Sequence, residues 1–189
     1  MERYTAIVLS AQPVRLEIPG VRVLASVQAI HTAEQLYDLR LCLLDRVETS
    51  FCFYLDDDDE LPADYLEVLD ECASHDAALA YTDELIRYLG KERVRKSAPY
   101  DLDEHKHNAM FVHHLALMRT SDAVQAASRL PRGPLSVEQP LYMELAKGGA
   151  AYVPRIGYIW SRSPTGMSHW PKMLGAQWRS KHWCMGGAI

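Results

Sequence analysis

No apolar run in this chain approaches the roughly 20 residues that span a bilayer. Residues 1–9 also lack the long apolar core and small-residue cleavage site of a secretory leader. A soluble cytoplasmic protein is therefore the expectation. Cysteine is scarce: Cys42, Cys52, Cys72 and Cys184 form no C-x-x-C pair, which argues against a zinc ribbon or a thioredoxin-type redox site and leaves buried or free thiols. Internal repeats and low-complexity linkers are missing too. At 189 residues with 48% hydrophobic and 24% charged side chains, the sequence fits one domain, 1–189, with a sizeable core.

Acidic residues are absent from Leu145 to Ile189. That stretch instead holds Lys147, Arg155, Arg162, Lys172, Arg179 and Lys181, with Trp160, Trp170, Trp178 and Trp183 and the histidines His169 and His182. Because the whole chain carries a net charge of -5, the remainder is strongly acidic. Residues 155–189 thus read as a basic, Trp-rich C-terminal segment. Such a segment either folds onto the acidic body or holds an anionic or ring-shaped ligand.

The most specific local feature is Ser50-Phe51-Cys52-Phe53-Tyr54-Leu55 running into Asp56-Asp57-Asp58-Asp59-Glu60. An apolar, β-branched or aromatic run that stops at a polar break suits a strand buried on both faces. The two-residue period of a strand would send Asp56 and Asp58 to one side and Asp57 and Asp59 to the other. Two carboxylates on one side repel unless a cation neutralises them, and hard oxygen ligands favour Mg²⁺, Mn²⁺ or Ca²⁺ over zinc. A calcium loop would need a central glycine, which Asp56 to Glu60 lacks.

Around this feature the elements alternate. Strands are expected at 4–9 and 21–27, and Thr32 as N-cap with Gln35 three residues on opens a helix to about Val47 with a Leu36, Leu39, Leu43 and Leu44 stripe. Pro62 suits the first turn of a second helix with Tyr65, Leu66, Leu69 and Cys72 on one face. Residues 77–82 then read as a strand, Gly90 as a hairpin turn, 110–118 as a strand, and helices follow from Ser121 and from Val137 to Lys147, the latter stopped by Gly148-Gly149. Between Pro99 and 110 lies a short polar stretch. Strands alternating with helices point to an α/β fold with a mainly parallel sheet.

In this order, the segment Leu55 to Leu66 resembles the central motif of family 2 glycosyltransferases of the GT-A fold, where an apolar strand ends in L-D-x-D-D and a proline-started helix follows. Ala80-Tyr81-Thr82-Asp83 is similar to the family's next strand, Ala116-Leu117-Met118-Arg119-Thr120 to its strand ending in arginine, and Val137 to Ala146 to its acidic catalytic helix. Gly148 to Pro154 with Ile159-Trp160-Ser161-Arg162 resembles the closing segment. The resemblance covers roughly residues 50–170 and implies a GT-A-like, Rossmann-like mixed sheet flanked by helices.

It further implies transfer of a sugar from a nucleoside-diphosphate donor, such as a UDP-sugar, to an acceptor hydroxyl, with Mn²⁺ or Mg²⁺ neutralising the leaving diphosphate. On that reading Asp58 is the first metal ligand, Asp56 serves the ribose or shares the ion, His169 completes the metal shell, and Arg40 and Arg162 contact the donor. The acceptor is open: glycan, protein, lipid or modified DNA. Two departures stand out. The chain has Glu138-Gln139 where inverting members usually have Glu-Asp, so the base falls to Glu138, with Asp83 and Glu84 in reserve. Only about fifty residues precede the acidic strand, an abbreviated nucleotide region. Rival classes are a protein of this fold that binds nucleotide-sugar without turnover and a nucleic-acid binder using the basic tail. The histidines His105, His107, His113 and His114 match no compact metal motif.

Overall fold

The computed structural model describes residues 2–10, 16–27, 33–130 and 138–161. Strands β1 (Tyr4–Ser10), β2 (Val21–Val27), β3 (Phe51–Asp56), β4 (Leu79–Tyr88), β5 (Lys91–Arg95), β6 (Ala116–Arg119) and β7 (Ala150–Ser161) form one sheet. Helices α1 (Ala33–Leu44), α2 (Tyr65–Ser74), α3 (Leu102–His107), α4 (Thr120–Ala127) and α5 (Glu138–Ala146) connect them. β1 pairs in parallel with β2 and β3, and β4 in parallel with β7, whereas β6 runs antiparallel between β3 and β4. The fold is thus the α/β class expected, a mixed and mainly parallel sheet.

Alternation along the strands builds a core on each face. Ile7, Leu9, Cys52, Tyr54, Leu79, Tyr81 and Met118 join Leu43 and Leu44 of α1 and Leu141, Tyr142 and Leu145 of α5 on one side. Ala6, Val8, Phe53, Leu55, Ala80 and Leu117 meet Val68, Leu69 and Cys72 of α2 on the other. Each fully buried Val, Leu, Ile, Phe or Met among them contributes about 1.5–3 kcal/mol. This two-sided burial explains why β1 and β3 read as continuous apolar runs.

Several boundaries differ from the sequence reading. α2 starts at Tyr65 rather than at Pro62, whose carbonyl instead accepts the Tyr65 N–H at 3.0 Å in a preceding turn. The strand expected over 110–118 shrinks to β6, because Asn108 turns the chain by accepting the Met110 N–H at its side chain, 3.1 Å, and the Phe111 N–H at its carbonyl, 2.9 Å. The polar stretch before it is α3, whose first turn is capped by Asp101 accepting from the N–H groups of Asp103 and Glu104 at 2.8 and 3.0 Å. The hairpin at Gly90 is present and links β4 to β5, with Leu89 and Gly90 both left-handed at φ 48° and 73°. Thr32 and residues 131–137 lie outside the described residues.

β7 carries two irregularities opposite Thr82, Asp83 and Glu84, which absorb Pro154, with no N–H to give the ladder, and Gly157. A Cβ on Gly157 would lie 2.5 Å from Thr82 Oγ1 and 2.9 Å from its Cγ2, inside the buried seam between β7 and β4. Gly157→Ala is therefore expected to cost about 1–3 kcal/mol by overpacking. Urea denaturation should show this, and Thr82→Ala in the same chain should recover part of it, as a double-mutant cycle measures.

Candidate functional site at the carboxyl edge of the sheet

The parallel strands all end at one edge, and β6, being antiparallel, begins there. Open α/β sheets bind ligands outside such carboxyl ends. Here that edge collects Asp56 at the end of β3, Asp83 and Glu84 midway along β4, the loop residues His113 and His114 leading into β6, Tyr158 and Trp160 on β7, and Glu138 at the start of α5.

Arg40 is the organising cation. Although it lies on the surface-forming helix α1, it is only 5% exposed and donates to Asp56 Oδ1 at 2.9 Å. Its other terminal nitrogen meets the Glu138 carboxylate, and its guanidinium sits 4.8 Å from the centre of the Tyr54 ring. One buried guanidinium thus joins the two carboxylates expected to serve donor and acceptor. Asp83 is placed differently: its Oδ1 accepts from the Ser97 N–H at 2.7 Å and the Tyr152 hydroxyl at 2.8 Å, tying β4 to the segment after β5 and to β7. Arg162 and His169 lie outside the described residues.

The acidic run does not continue as a strand. β3 stops at Asp56, and the Asp59 N–H donates to the Asp56 carbonyl at 3.2 Å, closing a turn that leaves Asp57 and Asp58 exposed and Asp59 buried. The alternation expected for Asp56 to Asp59 is corrected accordingly: a turn, not a pleat, decides where each carboxylate points. Asp59 faces inward, accepting from the Tyr158 hydroxyl at 2.8 Å and the Ser161 N–H at 2.7 Å. Tyr158 in turn accepts the Asp56 N–H at 3.1 Å, so one phenol pins both ends of the turn to β7. Partial desolvation by the surrounding turn, then the charge of Asp56, raises the Asp58 carboxyl above its ordinary value although its side chain stays exposed. The same two causes push Asp59 up to about 7, against the hydrogen bonds from Ser161 and Tyr158.

Asp58 borders an open cleft of 790 Å³ whose other walls are Ser161 and the β4–β5 hairpin, including Arg87 and Lys91. These two cations, which the sequence alone did not single out, share the cleft wall with the carboxylates of Asp58 and Glu92, so the charges there balance. Arg87 is held there by Glu60 and Glu92, each at 2.9 Å. Of the other basic residues, Arg155 pairs with Asp64 just before α2 and with Glu67 and Glu71 of α2, and Lys147 with Glu144, so this part of the basic segment folds onto the acidic body.

A second cluster joins Glu84, held in reserve as a base, with His113 and His114, whose spacing in the sequence matched no metal motif. Glu84, fully buried, accepts from Arg95 Nε at 2.7 Å and faces His113 Nδ1 at 3.2 Å and His114 Nδ1 at 3.9 Å. Burial alone would raise the Glu84 carboxyl, but the hydrogen bond and charge of His113 together with Arg95 bring it below its ordinary value. Burial, then His113, Arg40 and Arg95, hold His114 far below the usual imidazole value. The adjacent His-His pair ahead of an apolar strand was the available signal. Its meaning depends on a strand partner 29 residues away.

No family model and no curated protein matches the chain. Among solved structures, S. aureus TarS 1–349 in complex with UDP-GlcNAc aligns with a TM-score of 0.62 at 11% identity, over 87% of this chain and 60% of that one. A structure of S. aureus TarS gives 0.60 at 12% identity over 86% and 37%, and TarS 1–349 in complex with UDP gives 0.51 at 14% over 77% and 44%. The chain therefore shares its fold with TarS while spanning at most 60% of those chains.

The buried carboxyl of Asp59 makes stability depend on pH in a fixed direction. Its folded value of about 7 lies above the unfolded one, so its contribution is fully present below about pH 4 and is lost as pH rises through 7. In chelator-treated protein, Asp59→Asn should flatten the fall in unfolding free energy between about pH 4 and 7. An unchanged slope in denaturation curves across that range would remove Asp59 as its source.

Proposed function

We propose that this chain is a glycosyltransferase that moves a sugar from a UDP-class nucleotide donor to an acceptor hydroxyl, metal-dependent and inverting. The observation that carries the reading is the acidic turn: Asp58 faces a cleft walled by Arg87 and Lys91 at the carboxyl edge of a sheet whose fold is shared with a protein solved with UDP-GlcNAc. A diphosphate leaving group needs positive charge on one side and a cation bridge on the other. Lys91, and Arg87 once drawn from Glu60 and Glu92, would supply the first. Asp58, raised by desolvation and then by the charge of Asp56, would with Asp56 offer the oxygen donors that a Mn²⁺ or Mg²⁺ ion would neutralise, and such an ion would supply charge stabilisation to the departing diphosphate. Arg162 and His169 are proposed to add to the donor and metal contacts.

Glu138 is the proposed base. Arg40 holds it beside Asp56, which keeps the proton acceptor next to the donor end of the site. A binding-only reading is favoured by one observation: Gln139, at the usual position of the base, donates its amide to the His105 carbonyl at 2.6 Å and so serves the packing of α5 on α3. In that reading the chain retains nucleotide-sugar, or its basic segment nucleic acid, without turnover.

UDP with Mn²⁺ is expected to raise the thermal midpoint by a few degrees at saturating concentration, following the logarithm of saturation. Asp58→Asn should abolish the metal-dependent part and leave the midpoint without ligand close to wild type. Retention of the full metal-dependent shift would remove Asp58 from the site.

Glu138→Gln keeps an acceptor for Arg40 while removing the base, so turnover of labelled donor should fall by roughly a hundredfold with donor affinity little changed. Wild-type turnover on no acceptor, alongside clear UDP binding, would decide for the binding-only reading.

A further inference from the structure

Glu84, His113 and His114 take no part in the transfer chemistry proposed above, yet among the described residues they bring three metal-ligating atoms within 4.8 Å of one another. We propose that they form a second site, for a divalent ion of the zinc class, separate from the acidic turn.

The donor set points to that class. Two imidazole nitrogens and one carboxylate oxygen suit zinc, iron or cobalt, whereas magnesium and calcium prefer oxygen alone. Three protein ligands also leave one position open, as in catalytic rather than structural zinc sites. The spacing fits: Glu84 Oε2 lies 3.2 Å from His113 Nδ1 and 3.9 Å from His114 Nδ1. Ligand atoms around a tetrahedral zinc with bonds near 2.1 Å stand about 3.4 Å apart, so small side-chain adjustments close the set.

The surroundings prepare it. Arg95 occupies Glu84 Oε1 and leaves Oε2 toward the histidines, the outer hydrogen bond that ligating carboxylates commonly have. Arg95 also donates to the Met110 carbonyl, fixing the loop that carries His113 and His114. His114 Nδ1 is buried and has no hydrogen-bond partner among the described residues, a cost that a bound ion would remove. The two imidazole rings lie 3.6 Å apart at 30°, and Trp160 closes one side at 5.2 Å from His113. Tyr158 separates this cluster from the acidic turn: its ring packs 4.2 Å from His114, while its hydroxyl serves Asp59 and Asp56. The positive charge of Arg95 tempers affinity, so micromolar rather than picomolar binding is expected.

The test uses the full chain stripped by a chelator and exchanged into chelator-free buffer. Calorimetry with Zn²⁺ should show one equivalent bound with a micromolar or tighter dissociation constant, and Co²⁺ should give the visible spectrum of a four- or five-coordinate ion. His113→Asn and His114→Asn should each weaken Zn²⁺ binding at least about tenfold, while Asp58→Asn should leave it unchanged. Absence of Zn²⁺ binding at about 100 μM, or unchanged affinity in both histidine variants, overturns the proposal. Loss in Asp58→Asn with retention in the histidine variants also overturns it, by moving the ion to the acidic turn. Zinc-edge X-ray absorption on the wild type gives a readout independent of variant folding: a shell of two imidazoles with oxygen supports the site, and a shell without imidazole overturns it.

Discussion

A guanidinium that is 5% exposed cannot stand alone, and the carboxyl edge of this sheet is arranged around that constraint on Arg40. Removing one partner from a buried ion pair typically costs about 3–5 kcal/mol, because the remaining charge is left uncompensated. Arg40 has two such partners, Asp56 from β3 and Glu138 from α5, and the face of Tyr54 beside it. The end of β3, the middle of α1 and the start of α5 are therefore fixed relative to one another by electrostatics as much as by packing. Tyr158 does the complementary work on the other side, holding Asp56 and Asp59 through its hydroxyl. The acidic turn is suspended between these two anchors, with Asp57 and Asp58 left facing solvent.

The reversal of β6 is what brings histidines to the same place. A parallel strand in its position would carry its leading loop to the opposite edge. Because β6 pairs antiparallel with β3 and β4, residues 113–115 arrive beside Glu84. The Leu115 N–H donates to Thr82 Oγ1 at 3.3 Å, and the Thr82 N–H donates to the Leu115 carbonyl at 3.1 Å, which locks that arrival. Directly across the β4–β5 hairpin, Arg95 opposes Glu84 in register, so the buried carboxylate receives its counter-charge from a neighbouring strand. A short hairpin and a short reversed strand together build a polar pocket inside an otherwise apolar sheet.

Legibility in the sequence followed the range of the forces involved. The strand into Asp56, the turn at Gly90 and the helix before Gly148 were readable because periodicity, left-handed glycine preference and helix stops are local. α3 was not, since a six-residue helix of polar residues shows little periodicity and rests on the Asp101 cap and on the burial of His105 against Tyr100 and Phe111. The side each aspartate takes after Asp56 was missed because alternation assumes that the strand continues, while the Asp56–Asp59 hydrogen bond ends it. Arg40 was named from its position beside the acidic strand; its burial and its grip on Glu138 depend on the packing of α1 and α5. Glu84, His113 and His114 needed the sheet order, which no local pattern contains.

Gln139 obeys the same constraint against unpaired buried polar groups. An acid at this position would place a carboxylate against the His105 carbonyl, where the amide now donates at 2.6 Å, so two acceptors would face each other at the end of α3. The amide is thus suited to a contact that the packing of α3 on α5 creates. Glu138, one residue earlier, points instead to Arg40. Negative charge at this helix end resides on Glu138, which the buried guanidinium can reach, and the chemistry open to the site turns on what Arg40 holds there.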